Sequence, residues 1–482
     1  MSGSIAYVGA GPGRPELITL RGLQLLQRAD VVVTDDLVHP EIYLRHPRPE
    51  AEIIRSGKRG GRPSATQDEV NAVTLDQARH GKFVVRLKGG DTMIFGRLRE
   101  EMDAAQAAGI PYEIVPGVTA ASGCSAYAGP LLTERQRGRA VTLLTGTTAD
   151  GEVDWQAAAR LGLLVMYMGV TGISQHVTEM RAAGLPDSTP VAIVRWGSRG
   201  FQSQWLSNLG EVASLVESEN IRPPALVLVG NQQHRLEAHT WWTSKPLFGT
   251  TLMMFRPDAR GWLLADRLRE QGCEVLNMPT RRGQRITPTE ASDPEALQVF
   301  TSAQAVHHAP AIAQGATVLA VGPSTAEALR ERGLPCHVVG SGQSQSLAQY
   351  LQASAFRLVQ HWSGEDLRPE LADICRSLPL TYRAITVYRM QDWAMSQDLA
   401  RETIERLPDG SILYATSPKT FAPVADTVRA QGDRLRLWAI GHTTAQELIR
   451  DGFAVTRTLG ASGLTDHDAQ LEHALREHAG YA

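Results

Sequence analysis

Short apolar, β-rich runs recur through the first 230 residues, and each gives way to a loop of small residues and then to an amphipathic stretch. The runs are Ile5–Val8, Val31–Val33, Phe83–Leu87, Val141–Leu144, Leu163–Met168, Val191–Val194 and Ala225–Val229. Strands alternating with helices in this way restrict the chain to the α/β class. Thr19 is placed to cap a helix through Leu20, Leu23 and Leu26, whose spacing predicts one apolar face turned inward. The alternation stops at 231–248, where Gln232-Gln233-His234-Arg235 and Trp241-Trp242 predict a linker whose tryptophans dock onto a neighbouring domain. It resumes at Thr250-Thr251-Leu252-Met253-Met254-Phe255. A chain of 482 residues is too long for one ordinary core, and the expected division is 1–230, 231–248 and 249–482.

The second half repeats itself. Phe300-Thr301-Ser302-Ala303-Gln304-Ala305-Val306 is echoed by Tyr414-Ala415-Thr416-Ser417-Pro418-Lys419-Thr420, and Ala320–Leu329 by Ala439–Leu448. Each unit reads as strand, hydroxyl-bearing turn, helix. Two lobes of similar fold facing across a cleft follow from the repeat.

The opening turn, Tyr7-Val8-Gly9-Ala10-Gly11-Pro12-Gly13, departs from a dinucleotide fingerprint. That fingerprint needs a sixth-position glycine for close helix packing, and the position holds Arg14. Pro12 has no N–H, so the turn suits a ligand that lies against bare backbone without offering a diphosphate. A net charge of −3 gives no surplus for a polyanion, which argues against nucleic acid. The cysteines, Cys124, Cys273, Cys336 and Cys375, form no CxxC pair, so neither a disulfide framework nor a zinc site is expected and a reducing cytoplasm fits. No apolar run approaches roughly 18 residues and no signal-peptide pattern opens the chain, so no membrane association is expected.

Further loops follow apolar runs: Asp35-Asp36-Leu37-Val38, Gly57-Lys58-Arg59, Arg86-Leu87-Lys88-Gly89-Gly90-Asp91, Pro116-Gly117-Val118-Thr119-Ala120-Ala121-Ser122, Met168-Gly169 and Trp196-Gly197. Loops at the carboxyl ends of strands are where open α/β sheets bind ligands. In this order and spacing, residues 4 to 230 resemble the tetrapyrrole methylases, specifically the uroporphyrinogen-III C-methyltransferases. The resemblance implies a two-lobed fold, usually homodimeric, that binds S-adenosylmethionine and releases S-adenosylhomocysteine. It places cofactor contacts on Pro12, Gly89, Gly90, Asp91, Ile94, Thr119, Ala120, Met168, Gly197 and Ala225. It assigns Asp35 as a base and Lys58 as its acid partner, with Arg59 against substrate; a purely binding role for Asp35 and Lys58 stands equally open. Methyl transfer from a sulfonium is an in-line displacement that needs positioning in an apolar cleft, and no metal is expected. The sequence departs from the family pattern at Arg14, where Asp is usual, and at Leu98-Arg99, where Gly-Gly is usual.

Residues 249–482 resemble uroporphyrinogen-III synthase. The matching residues are Arg256-Pro257, Phe300-Thr301-Ser302, Val321-Gly322 with Thr325-Ala326, Thr386-Val387-Tyr388, Thr416-Ser417-Pro418 and Ile440-Gly441 with Thr443-Thr444-Ala445. The resemblance implies cyclisation of hydroxymethylbilane with inversion of the last ring. Tyr388 would assist loss of hydroxide, and Thr301, Ser302, Thr325, Thr416, Ser417 and Thr444 would hold carboxylates. The same hydroxyls also suit turn and cap duty at strand-to-helix junctions. One lobe is expected over 249–282 with 390–482, the other over 283–389. The joint expectation is a bifunctional enzyme that makes uroporphyrinogen III and methylates it to precorrin-2. The alternative, motivated by Arg14 and Leu98-Arg99, is a synthase carrying a methylase-like binding module.

Overall fold

The computed structural model describes residues 3–481 except 57–64, 136–137, 139, 148–152, 231–240, 341–346, 368 and 461–465. Strands β1 (Ser4–Gly9), β2 (Val31–Thr34), β3 (Glu52–Arg55), β4 (Phe83–Lys88) and β5 (Tyr112–Val115) form a wholly parallel sheet, ordered β3-β2-β4-β1-β5. Val31, Val32 and Val33 are all buried, as a strand covered on both faces requires. Strands β6 (Val141–Thr145), β7 (Leu163–Tyr167), β8 (Pro190–Arg195), β9 (Ser203–Asn208) and β10 (Ala225–Val229) build a second, mixed sheet, ordered β6-β7-β10-β8-β9. Only its β6–β7 pair is parallel.

The helix after the first turn begins where the sequence places it but faces differently. Thr19 Oγ1 accepts the Gly22 N–H at 3.1 Å and caps the helix Leu20–Leu26. The inward face is Gly22, Leu25 and Leu26, whereas Leu20 is 80% exposed. Gly22 decides this, because a Cβ there would lie 2.8 Å from Val8 Cγ1. Only glycine lets the helix lie this close to β1, and with Gly22 inside Leu20 must point out.

The second half contributes β11 (Thr251–Met254), β12 (Glu274–Asn277), β13 (Arg281–Arg285), β14 (Leu297–Phe300), β15 (Val318–Ala320), β16 (Val338–Val339), β17 (Leu358–Gly364), β18 (Thr381–Asp392), β19 (Ile412–Ala415), β20 (Arg436–Ala439) and β21 (Val455–Thr458). They sort into a parallel sheet, β12-β11-β19-β20-β21, and a sheet β13-β18-β17-β14-β15-β16 whose β13–β18 pair alone is antiparallel. The sequence repeat falls on matching units. β14 with the helix Ala303–His308 corresponds to β19 with the helix Pro418–Phe421, and β15 with Pro323–Glu331 corresponds to β20 with His442–Arg450.

The two halves share a core. Val8, Leu26, Ile42 and Tyr43 belong to the same buried apolar cluster as Met253, Phe255, Leu399 and Leu413. The helix Pro40–Arg45, whose Ile42 and Tyr43 are buried, lies against β12. Trp242 is fully buried at the same junction, edge-on to Tyr127 and Phe248, with its indole N–H donated to the Arg199 carbonyl at 3.0 Å.

Candidate active site

A cleft of about 580 Å³ opens at the carboxyl ends of the first sheet's central strands and is walled on the far side by the second sheet. Its floor is a backbone clasp. Gly11 and Gly90 exchange both main-chain hydrogen bonds, at 3.1 and 2.8 Å. Their φ values of +83° and +66° are left-handed conformations that glycine adopts without strain. Pro12 is pressed onto the helix Ala120–Ala128, where a Cβ on Gly123 would stand 2.4 Å from its Cγ. Tyr167, at the end of β7, ties that helix down: its phenol oxygen accepts the Ala121 N–H at 3.0 Å and lies 2.6 Å from Thr119 Oγ1.

The fold gathers the expected cofactor positions onto this one cleft. Pro12, Gly89, Gly90, Asp91 and Ile94 line it from the first sheet, Thr119 and Ala120 from the helix between the sheets, and Met168, Gly197 and Ala225 from the second. Asp91 also braces its own turn, accepting the Met93 N–H at 2.7 Å. Met168, half exposed, sits at φ +55° immediately after Tyr167.

Asp35 lines the same cleft and is held by Arg86 Nη2 at 2.6 Å and by the Ser56 hydroxyl at 3.2 Å. Behind it Glu101, 3% exposed, accepts from Arg86 Nε at 3.1 Å and Lys88 Nζ at 2.7 Å. Burial, and then the Arg86 charge, push the Lys88 ammonium below its ordinary pKa despite Glu101. The cleft thus carries a charged chain that runs from the partly exposed Asp35 through the buried Arg86, Glu101 and Lys88. Sequence reasoning marked the cations but missed Glu101, which sits in the helix Leu98–Ala107 with no motif around it. Tyr167 was missed likewise. Cys124 also lines the cleft, and burial lifts its thiol to about 12, so it enters as a small apolar group. Lys58 and Arg59 lie outside the described residues.

The departures from the family pattern have structural outlets. Arg14 turns its side chain away from the cleft into the junction between the halves. There it pairs with Glu16 at 3.0 Å and Glu270 at 2.7 Å and lies over the Trp242 ring at 5.0 Å. Leu98 is buried in the core of the first sheet and starts a helix, while Arg99 is exposed and pairs with Asp103 at 2.7 Å.

In the second half Thr301, Ser302, Thr325, Thr416, Ser417 and Thr444 follow the carboxyl ends of β14, β15, β19 and β20, whereas Tyr388, expected at a strand end, lies inside β18 opposite Arg285 of β13. Thr301 Oγ1 lies 2.8 Å from His361 Nε2, and His361 Nδ1 lies 2.7 Å from the Tyr382 hydroxyl. Burial drops the His361 pKa to about 4 and lifts the Tyr382 phenol to about 12. The Tyr388 hydroxyl is 3.3 Å from Ser302 Oγ, and its ring stacks on His308 at 5.5 Å. Ser302 and Ser417 serve as caps, accepting the Ala305 and Thr420 N–H groups at 3.1 and 3.2 Å. Thr325 and Thr444 are buried within helices, and Thr416 is half-buried at the end of β19. Neither His361 nor Tyr382 was singled out from sequence.

Residues 4–213 match the family described as Tetrapyrrole (Corrin/Porphyrin) Methylases, and residues 263–458 match Uroporphyrinogen-III synthase HemD. Siroheme synthase 1 of Yersinia enterocolitica is 45% identical over 247 residues, which is 51% of this chain and 52% of that protein. The uroporphyrinogen-III C-methyltransferase of Bacillus subtilis is 35% identical over 294 residues, 60% of each chain. The chain therefore spans about half the length of the first relative and 60% of the second. A solved structure, the uroporphyrin-III C-methyl transferase of Thermus thermophilus complexed with S-adenyl homocysteine, is 36% identical. The match covers 48% of this chain and 98% of that one, at a TM-score of 0.42. Among the described residues no helix is long and apolar enough to cross a membrane. The chain belongs to the tetrapyrrole methylases over residues 4–213 and joins to them, over residues 263–458, a domain of the uroporphyrinogen-III synthase family.

Proposed function

We propose that the chain is a bifunctional tetrapyrrole enzyme that cyclises hydroxymethylbilane to uroporphyrinogen III and methylates that product with S-adenosylmethionine, giving precorrin-2. The observation that carries the methylase half is the convergence of the family's cofactor positions on one cleft with Asp35 in its wall. The cleft suits a sulfonium nucleoside. Its volume is that of an ordinary small-molecule site, Pro12 denies it a phosphate-cradling row of N–H groups, and Ile94, Met168 and Ala225 give it apolar lining. When bound, S-adenosylmethionine supplies an electrophilic methyl group. Pro12, Gly89, Gly90, Thr119 and Ala120 would hold the donor from one side, while the second sheet walls the cleft against water. Asp35 accepts the proton that the cationic pyrrole ring must lose, from its N–H or an adjacent bridging carbon, once a ring carbon has taken the methyl, and Arg86 fixes its carboxylate for that task. In the synthase half, Tyr388 assists departure of hydroxide, and Thr301, Ser302, Thr325, Thr416, Ser417 and Thr444 receive carboxylates at strand ends. The family resemblance supports a homodimer through the methylase domain and a cytoplasmic location.

Incubation with hydroxymethylbilane, with and without S-adenosylmethionine, tests this reading. The expected products are methylated tetrapyrrole with the donor and uroporphyrinogen III without it. Uroporphyrinogen III in both arms would leave a synthase with a binding module. Uroporphyrinogen I in both would remove the synthase assignment.

A further inference from the structure

One wall of the methylase cleft is held by the other domain. The segment Trp196-Gly197-Ser198-Arg199-Gly200 follows β8, and Trp196, Gly197 and Arg199 line the cleft. It is wound tightly, with Trp196 at φ +52° and Ser198 at φ +71°, conformations that side-chain-bearing residues adopt only when their surroundings enforce them. The cleft side of the segment leaves no room: a Cβ on Gly197 would stand 2.4 Å from Cys124 Sγ, and one on Gly13 3.0 Å from Arg199 Cδ.

Gln202 Oε1 accepts the Ser198 N–H at 2.9 Å from within the same domain, and a second brace on this winding comes from β12, in the synthase domain. Glu274 is 3% exposed. Its Oε1 accepts from Arg199 Nε at 2.9 Å and Nη2 at 2.5 Å, and its Oε2 accepts the Gly200 N–H at 2.8 Å. The approach is close enough that a Cβ on Gly200 would lie 2.3 Å from the Glu274 nitrogen. Both carboxylate oxygens bond to this stretch of the methylase domain, with His39 Nε2 of the same domain 3.7 Å from Oε1.

We propose that Glu274 is a positioning residue of the methylase site, contributed by the synthase domain: it sets the 196–200 wall against which the cofactor packs. The inference rests on the methylase reading above. Its consequence is that the methyl-donor site of this chain is complete only when the synthase domain is docked.

The test uses the full chain, with S-adenosylhomocysteine binding measured by calorimetry and the kinetics of both half-reactions followed. Glu274→Gln keeps the size but turns an N–H donor on the Arg199 fork or the Gly200 N–H. Its expected effect is a rise of roughly tenfold in the Kd for S-adenosylhomocysteine and in the KM for S-adenosylmethionine, since a small misplacement of a site wall costs one to two orders of magnitude. The KM for hydroxymethylbilane should stay at its wild-type value. Arg199→Lys, which retains the charge but loses the fork, should reproduce the effect in milder form should Glu274→Gln fail to fold. A wild-type Kd in both variants, or hydroxymethylbilane kinetics that worsen in parallel with cofactor binding, overturns the inference and leaves Glu274 a strut of the interface. A wild-type chain that binds no S-adenosylhomocysteine overturns the methylase reading itself, and this one with it.

Discussion

Asp35 and Arg86 illustrate what a single residue does here. A carboxylate in an open cleft rotates freely, and one clamped by a guanidinium at 2.6 Å does not. Asp35→Ala is expected to slow methyl transfer about a hundredfold, the usual worth of a positioned base, while the Kd for S-adenosylhomocysteine changes little. Equal loss in both would make Asp35 a holder of structure. A second residue-scale prediction concerns acid. His39 caps the helix Pro40–Arg45, its Nδ1 accepting the Glu41 N–H at 3.2 Å, so the proton of the neutral ring sits on Nε2, which faces Glu274 at 3.7 Å. Burial, and then the Arg199 charge, lower the His39 pKa from 6.5 to about 4. Burial lowers His46 and His361 to about 4 as well. The unfolded chain takes up these protons near pH 6.5 and the folded chain only near pH 4. Stability is therefore full above 6.5 and falls as pH drops from there to 4. Glu274, whose pKa is depressed by Arg199 against the cost of burial, stays charged in the folded chain through that window and adds to the slope only below about pH 5, where the unfolded chain protonates it. His39→Asn keeps the cap acceptor and should remove up to about 1.4 kcal/mol per pH unit from the slope, most of it near pH 5, measurable by urea unfolding between pH 7 and 5.

At the scale of the element, the Pro12–Gly123 contact is one of the tight joints of the cleft. Gly123→Ala is expected to cost about 1–3 kcal/mol by overpacking and to weaken S-adenosylhomocysteine binding, because either Pro12 or the helix Ala120–Ala128 must shift. Calorimetry and a thermal melt on the same sample check both. What the sequence conceals is also an element-scale matter. Alternation exposes β1, β2, β4, β6, β7, β8 and β10, but not β3, β5 and β9. Those three are the ends of their sheets or, like Glu52-Ile53-Ile54-Arg55, carry charge where a covered strand would carry only apolar groups. The cleft glycines are legible because backbone approach admits no other residue. Glu101, Tyr167, His361 and Tyr382 are not, since each is an isolated residue whose partner lies on another element. Arg14 is the instructive case: its sequence context marks it as an oddity of the cofactor turn, and only the packed second half shows where its guanidinium goes.

At the scale of the molecule, the two domains meet through a buried ionic lattice laid over a shared apolar core. Arg269, 3% exposed, reaches Glu41, Glu16 and Asp266, with Glu41 itself 1% exposed and also bound by Arg45 at 2.7 Å. Arg55 meets Glu402 at 2.8 Å farther along the interface. Arg269→Met is expected to cost about 3–5 kcal/mol, because it strands Glu41 without its main partner. Arg269→Met with Glu41→Met should cost less, because the uncompensated charge goes with it; thermal unfolding of the full chain compares the two. The shared core also bears on how the molecule is made. Ile42 and Tyr43 emerge from the ribosome well before Met253 and Leu413, which share their buried cluster. During synthesis the first half therefore passes through a stage with an apolar face bare, the kind of nascent surface that chaperones hold, until the second half packs onto it.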